Sequence, residues 1–159
     1  MITFEKVRWK NFLSTGNTFS EVQLTDAKTN LIVGSNGAGK STILDALTFG
    51  LFGKPFRKIS KSSLVNSIND RDTVVEVEFT IGKNEYQVMR AIKPNKLEIS
   101  VNGQLFNQEA AVNDQQKNFE KNVLKMNFKS FTQVVICLLY TSDAADEGLG
   151  VDLGGRRII

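Results

Sequence analysis

The feature that most constrains the fold of this chain is a glycine-rich segment between an apolar run and a helical pattern. The spacing Gly-x4-Gly-Lys-Ser occurs once, at residues 34–41. The apolar run before it, residues 31–33, predicts a strand buried on both faces. After it, apolar residues recur every three or four positions and predict a helix from Lys40: Ile43, Leu44, Leu47 and Leu51. Strand, loop and helix in this order predict a phosphate-binding loop in an α/β P-loop NTPase fold.

Each part of this loop has a chemical task. Glycines let the backbone approach phosphate oxygens closely, and the N–H groups at the start of the following helix surround those oxygens. Lys40 is expected to bridge the β- and γ-phosphates of ATP, Ser41 to ligate Mg²⁺, and Thr42 to contact the α-phosphate. The nucleotide-binding residues predicted in this loop are Gly34, Ser35, Asn36, Gly37, Ala38, Gly39, Lys40, Ser41 and Thr42.

Strand patterns account for much of the remaining sequence. We expect strands at residues 4–10 and near 18–24, and the period-two alternation of residues 73–81 predicts a half-buried strand. Two further runs and the hairpin pair Asn102-Gly103 extend this strand into an antiparallel β meander that ends beyond residue 101. Gly50 and Gly53 are expected to close the helix after the loop, and residues 62–68 to form a short helix.

The last part of the chain carries two expectations. Residues 110–126 predict a helix with an apolar side made of Val112, Phe119, Val123 and Leu124. Residues 131–136 form an apolar, β-branched run that predicts a strand.

The composition changes abruptly after Ile136. Fourteen lysines precede this point and none follow it. The segment that begins at Cys137 resembles the translation of an adapter used to prepare sequencing libraries. We therefore expect an incomplete N-terminal ATPase lobe at 1–136, the beginning of a longer protein, and a non-native, adapter-derived tail at 137–159.

Charge and composition restrict the function classes. The 159 residues correspond to about one domain, and no apolar run is long enough to span a bilayer. No secretion signal precedes the first strand, so a cytoplasmic protein without a membrane partner is expected. The single cysteine excludes an internal disulfide. Residues 1–136 hold 18 basic and 13 acidic side chains, a balance compatible with a polyanionic partner such as DNA.

Three segments together resemble the SMC-type DNA-repair ATPases, which include the SbcC-like exonuclease subunits and their relatives in T-even-like bacteriophages. These segments are Lys10-Asn11-Phe12, the glycine-rich loop through Thr42, and residues 44–53. The resemblance covers essentially all of residues 1–136. It implies the N-terminal lobe of an ABC/SMC-type ATPase head, with a mixed sheet and the antiparallel meander.

The resemblance also implies partners and further site residues. In that family a coiled coil connects this lobe to a C-terminal lobe, and two heads close on ATP as a head-to-head homodimer. The dimer holds DNA and controls a nuclease subunit. Asn36 would lie near the γ-phosphate, and Asn66, Ser67 and Ile68 near the adenosine. The family often has a basic residue where this chain has Leu13, and its Mg²⁺-sensing glutamine would follow Ile136. No complete catalytic site is visible in residues 1–136, because the carboxylate that orients the attacking water is missing. This chain alone is therefore expected to bind ATP weakly without hydrolysing it.

Weaker signals concern DNA and the core. A basic cluster after the loop helix suits either DNA phosphates or a solvated connection: Lys54, Arg57, Lys58 and Lys61. Trp9, Phe12 and Phe19 are expected in the core rather than as a platform for bases. Asp45 is expected to make a local polar contact, because a catalytic acid of this class follows an apolar strand.

Two alternatives to a DNA-repair ATPase remain at this point. One is the ATPase domain of an ABC-type transporter, and the other a nucleotide-binding module without hydrolysis. The long interval between Lys40 and residues 134–136, which the meander fills, favours the repair ATPase.

Overall fold

The computed structural model describes residues 1–27, 31, 33, 39–106 and 110–134, the last of these without its side chain. Its centre is a six-stranded sheet in the order β2-β1-β3-β4-β5-β6. The strands are β1 (Ile2–Lys10), β2 (Ser20–Gln23), β3 (Thr73–Ile81), β4 (Asn84–Ile92), β5 (Lys96–Val101) and β6 (Gln104–Phe106). All five pairings between these strands are antiparallel. The expected meander is confirmed, and its tight turn lies at Asn102-Gly103, both with positive φ.

Alternation along the strands divides the sheet into two faces. Val75, Val77 and Phe79 of β3 are fully buried, whereas Glu76 and Glu78 lie on the opposite face. There Glu76 binds Arg8 of β1, and Glu78 contacts Lys6 at 3.0 Å. One face of the sheet therefore forms the core, and cross-strand ion pairs cover the other face.

Helix α1 (Lys40–Phe52) packs on the core face of the sheet. It ends at Gly53, which has a φ of 75° and donates its N–H to the Phe49 carbonyl at 2.8 Å. Gly50, expected to help close the helix, instead lies inside it and faces β3. A Cβ at Gly50 would approach Val77 Cγ2 to 2.5 Å, so glycine allows the close contact of helix and sheet. Gly50, a residue type that usually weakens helices, is therefore required here for packing.

Two further helices complete the core. Helix α2 (Val112–Asn118) continues as a π-helical segment, Phe119–Leu124, which confirms the expected helix. Its Phe119 ring lies 6.2 Å from Phe79, but Val112 is 47% exposed, so its expected place on the apolar side was wrong. Val112 is the first residue of the helix, and this start of the helix does not pack against the core.

Helix α3 (Phe128–Val134) corrects the strand expected at residues 131–136 over the part that the structure describes, residues 131–134. Asn127 caps this helix, because its Oδ1 accepts the N–H of Ser130 at 2.8 Å. Phe131 is fully buried, with its ring 5.1 Å from Phe52, while Gln133 lies exposed in the helix rather than in a strand. A short β-branched run does not distinguish a strand from a buried helix, and the Asn127 cap decides for the helix.

The strand expected at residues 31–33 is also not observed. Leu31 and Val33 are 66% and 68% exposed and belong to no strand, and Ile32 lies outside the described residues. A strand is buried on both faces only with neighbouring elements around it, and the described sheet places no strand beside these two residues. Residues 135–159, including the expected tail, also lie outside the described part. Within the described part, no helix is long and apolar enough to cross a membrane.

Candidate nucleotide-binding site

The candidate site begins at the N-terminus of α1. Gly39 precedes the helix with a φ of 94°, a conformation that side chains other than glycine rarely adopt. Lys40 and Ser41 form the first helical positions, and the Thr42 N–H donates to the Gly39 carbonyl at 3.1 Å. No described side chain caps this helix, and its first turn carries no acid. The positive end of the helix dipole therefore favours an anion at this point.

A polar cleft of about 580 Å³ opens at this helix start. Gly39, Lys40, Ser41 and Thr42 line one side of it. The loop after β1 contributes Leu13 and Ser14, and the segment around the 3₁₀ turn Lys61–Leu64 contributes Ser63, Val65 and Ser67. Arg57 completes the described lining. The cleft thus combines two cations with several hydroxyl groups, which suits a phosphorylated ligand.

Buried asparagines fix the two loops that form the far side of the cleft. Asn11, 1% exposed, donates its side-chain amide to Asn17 Oδ1 at 2.8 Å and accepts from the Asn69 amide at 2.7 Å. Asn66 donates its side-chain amide to the Thr15 carbonyl at 2.9 Å. Phe12 and Val65 pair as an isolated β-bridge between the same loops. The motif around Asn11 therefore shapes the cleft by its hydrogen bonds.

Asp45 connects α1 to the loop that follows it. This carboxylate is completely buried and accepts the backbone N–H of Arg57 at 2.9 Å and its Nε at 2.6 Å. The expectation of a local polar contact is met by this pair. Because Arg57 lines the cleft, Asp45 holds a cation beside the helix start.

The residues expected near adenosine have different positions. Ser67 lines the cleft. Asn66 is 6% exposed, and its Oδ1 accepts the N–H groups of Ile68 and Asn69 at 2.9 and 3.0 Å, so its side chain shapes the loop. Ile68 is 89% exposed and does not line the cleft. A direct ligand contact is therefore best supported for Ser67.

The basic cluster lies around a second pocket. Lys54, Arg57, Lys58 and Lys61 all line a pocket of about 450 Å³ between the loop after α1 and helix α3. Arg57 also lines the polar cleft, so the two pockets are adjacent. The sequence prediction grouped these four cations correctly in space, and their contact with DNA stays a prediction.

The three aromatic residues of the first strands and loop have separate environments. Trp9 and Phe12 are 5% and 0% exposed and belong to the core, as expected. Phe19 is 36% exposed on the other face of the sheet, which corrects the expectation for this residue. The Arg8 guanidinium carbon lies 4.3 Å from its ring centroid and the Lys10 ammonium nitrogen 5.3 Å from it. Cation–π contacts hold the ring on the charged face of the sheet.

Five predicted loop residues lie outside the described part of the chain: Gly34, Ser35, Asn36, Gly37 and Ala38. Ser41 fits Mg²⁺ through the chemistry of its donor, since a single hydroxyl beside a phosphate site leaves the other positions to phosphate oxygens and water. The described residues contain no cluster of three or more His, Cys, Asp or Glu that would hold a metal by itself.

Sequence reasoning missed the residues that fix the other end of α1. Arg90 of β4 is 7% exposed and donates its Nε to the Gly50 carbonyl at 3.2 Å and an Nη to Gln116. Gln116 donates to the Leu51 carbonyl at 3.0 Å. Burial lowers the pKa of Arg90 to about 10, so the guanidinium is charged at neutral pH. A cation at the C-terminal end of α1 is favourable to its dipole. The alternation of β4 was a signal that Arg90 faces inward.

Comparison with known proteins gives consistent matches. A family model described as AAA domain matches residues 6–143, which end seven positions past the change of composition after Ile136. Exonuclease subunit 2 of Enterobacteria phage T4 is 43% identical over 131 residues, which are 82% of this chain and 23% of that protein. The DNA double-strand break repair Rad50 ATPase of Thermoplasma volcanium is 31% identical over 127 residues, 77% of this chain and 14% of the relative. The chain thus spans less than a quarter of the length of these relatives.

Solved structures with a similar fold are SMC head domains. The Pyrococcus furiosus SMC head with an extended coiled coil, bound to the C-terminal domain of ScpA, is 26% identical with a TM-score of 0.55. The similarity covers 76% of this chain and 33% of that one. A structure from work on ATP-driven dimerization and DNA-stimulated activation of SMC ATPases matches 94% of this chain and 97% of its own. Its TM-score is 0.62 at 23% identity. The fold is that of the N-terminal lobe of an SMC-type ATPase head.

Proposed function

Since this chain belongs to the AAA domain family, we propose that it is the ATP-binding lobe of a DNA repair and recombination ATPase. The observation that carries the proposal is the position of Lys40 and Ser41. They lie side by side in the first turn of α1, directly after a left-handed glycine, and both line the polar cleft. This is the geometry in which a lysine and a hydroxyl bind phosphates and Mg²⁺.

ATP would bind in this cleft with its phosphates at the start of α1. When bound, the nucleotide and its Mg²⁺ supply a scissile phosphoanhydride and the charge that holds two heads together. The chain's own residues bind and orient the nucleotide. Lys40 would bind the outer phosphates, Ser41 the metal, and Ser67 the nucleoside. Arg57, held by Asp45, adds positive charge beside them.

As part of a longer protein, this lobe would pair with a second lobe and then with a second head through ATP. Such a head would bind DNA and control a nuclease subunit. The support lies in the similarity to phage exonuclease subunit 2 and to Rad50 ATPases. The alternative of a transporter ATPase has no such relative among these matches, and the antiparallel meander between α1 and α3 supports the repair ATPase.

A nucleotide-binding titration tests the proposal. Fluorescent mant-ATP is added to the chain with and without Mg²⁺, and the same titration is made on Lys40→Ala and Ser41→Ala. We expect Lys40→Ala to weaken binding by roughly tenfold or more, since each factor of ten corresponds to about 1.4 kcal/mol. Ser41→Ala should remove the effect of Mg²⁺ on affinity.

Lys83→Ala is the matched control, because Lys83 lies exposed in the turn between β3 and β4. It should bind mant-ATP like the unchanged chain. Equal affinity of the unchanged chain and Lys40→Ala would contradict the proposed site.

A further inference from the structure

A second pocket lies beside the nucleotide cleft, between the loop after α1 and helix α3. Its described lining contains Pro55, Phe56, Ile59 and Phe128 together with the basic cluster. It holds about 450 Å³, enough for a nucleobase or a similar flat group. No acidic side chain is among the described residues that line it. An apolar interior beside four basic side chains therefore distinguishes it from the polar cleft.

Three cations of this rim are available for a ligand. Lys54, Lys58 and Lys61, here called the lysine rim, are exposed and form no ion pair with a described residue. Arg57 differs from them, because its Nε is bound by Asp45. The lysine rim thus supplies three positive charges without a described acidic partner around one apolar opening, a pattern complementary to a polyanion that carries flat apolar groups.

The aromatic lining indicates which class of polyanion this pocket would bind. Phe128 packs edge-on against Phe52, with ring centroids 5.9 Å apart and an interplanar angle of 80°. The Lys54 ammonium lies 5.8 Å from the Phe128 ring centroid. A lysine beside an aromatic ring positions a phosphate next to a stacked base, the arrangement by which proteins bind single-stranded nucleic acid. In a duplex the bases are paired and stacked, so only an unpaired base could enter this pocket.

We infer that this pocket binds an unpaired nucleotide of single-stranded DNA, with the base against Phe128 and the phosphates on the lysine rim. The inference rests on the proposed function, since it names the form of DNA that the repair ATPase would hold. It adds a preference for strand ends or displaced strands over intact duplex. Because Arg57 lines both pockets, the bound DNA strand would lie next to the ATP in the polar cleft.

The test compares single-stranded and duplex DNA on the complete chain. Fluorescence anisotropy is measured with a labelled 12-nucleotide oligothymidylate and with the corresponding duplex. We expect the single strand to bind at least roughly tenfold more tightly, from stacking of one or more bases. The affinity for the single strand should fall with salt concentration with a log–log slope of about −2, for three phosphate contacts.

Two variants and two matched controls separate the base from the phosphates. The triple variant Lys54→Ala, Lys58→Ala, Lys61→Ala should lose most binding, and Phe128→Leu should weaken it by roughly five- to tenfold. The controls are the triple variant Lys83→Ala, Lys117→Ala, Lys121→Ala, with the same charge change at exposed positions, and Phe106→Leu at the sheet edge. Both controls should bind like the unchanged chain, and circular dichroism verifies the fold of each variant.

Three results would overturn the inference. The first is equal affinity for duplex and single strand with no effect of Phe128→Leu, which would make the lysines a simple backbone site. The second is competition by an eight-residue glutamate peptide as strong as by the oligonucleotide, which would identify an acidic peptide as the ligand. The third is equal loss in the control triple variant. Mant-ATP titrations on the same samples distinguish these results from failure of the proposed nucleotide site.

Discussion

Asp45 accepts two hydrogen bonds from Arg57, one from the backbone N–H at 2.9 Å and one from Nε at 2.6 Å. The carboxylate lies fully buried one turn after Ser41, whereas the Arg57 side chain is 44% exposed. A single acidic residue of α1 thereby fixes the loop that separates the polar cleft from the second pocket. Arg57 lines both pockets, so this pair fixes a side chain that they share.

The Asp45–Arg57 pair should contribute measurably to stability. Asp45→Asn keeps an acceptor for the Arg57 backbone N–H and removes the charge. We expect the free energy of unfolding to fall by about 1 kcal/mol, a modest value because the guanidinium is partly solvated. Urea denaturation measures the change. Asp26→Asn in an exposed turn is the control and should be neutral. An Asp45→Asn variant as stable as the control would mean that the pair adds nothing.

Gly50 should be indispensable for the packing of α1 on the sheet. In Gly50→Ala the added Cβ would meet Val77 Cγ2 at 2.5 Å and Val75 Cγ1 at 3.3 Å. Overpacking costs about 1–3 kcal/mol, more than the roughly 1 kcal/mol that alanine contributes to helix propensity. Thermal unfolding should show a lower Tm. Gly16→Ala, where no atom lies within 4 Å, should leave the Tm nearly unchanged.

Arg90 should be required as arginine and not only as a cation. A lysine at this position has one ammonium group and no planar fork for the Gly50 carbonyl and Gln116 together. We expect Arg90→Lys to lower the free energy of unfolding by about 1–3 kcal/mol at pH 7. Arg71→Lys, 79% exposed at its side chain, is the control and should change nothing measurable.

The pH dependence of this variant has a defined sign. Burial lowers the pKa of Arg90 to about 10, below its value in the unfolded chain, so the unfolded chain binds the proton more tightly and stability rises only above about pH 10. The ordinary pKa of a lysine is about 10.4, and the same burial would lower it. The pH range over which stability rises would therefore move down towards neutral pH. Arg90→Lys should therefore regain stability between about pH 7 and 10, while the unchanged chain does not. Parallel curves for both proteins over this range would contradict the explanation.

Gly39 should matter for nucleotide binding beyond its cost to stability. Gly39→Ala forces alanine into a φ of 94°, although the added Cβ would meet nothing closer than Thr42 Oγ1 at 3.8 Å. The strain is about 1–2 kcal/mol and should be relieved by a shift of the loop that precedes Lys40. We expect mant-ATP affinity to fall roughly tenfold. Gly103→Ala has a comparable strain at a φ of 83° in the distant hairpin and should bind mant-ATP normally.

The chain by itself should bind ATP without sustained hydrolysis. Orientation of the attacking water needs a carboxylate and a second contact to the phosphates. Among the described residues that line the cleft, none is acidic. A coupled phosphate-release assay on the chain should give no turnover above that of Lys40→Ala. Steady release that Lys40→Ala abolishes would show that the residues of this chain suffice for catalysis.

Much of the fold could be predicted from the sequence, because helices, strands and tight turns are specified by residues that are close together in the chain. The helix from Lys40, the strands of the meander and the Asn102-Gly103 turn follow from the spacing of apolar residues and from turn chemistry, which act over a few residues. The same holds for the grouping of Lys40 and Ser41, which are neighbours in the chain. Asn127 was a readable cap that would have identified α3.

The sequence by itself therefore determined the phosphate-binding motif, the helix from Lys40, the strands of the meander, and the family that these imply. Tertiary structure decided what lies far apart in the chain: Arg90 at the end of α1, Gly50 against Val77, and a pocket shared by Lys54 and Phe128. The physical reason is that burial, close approach and charge pairing depend on which surfaces pack together. No spacing along one segment specifies that, because each contact joins elements separated by many residues.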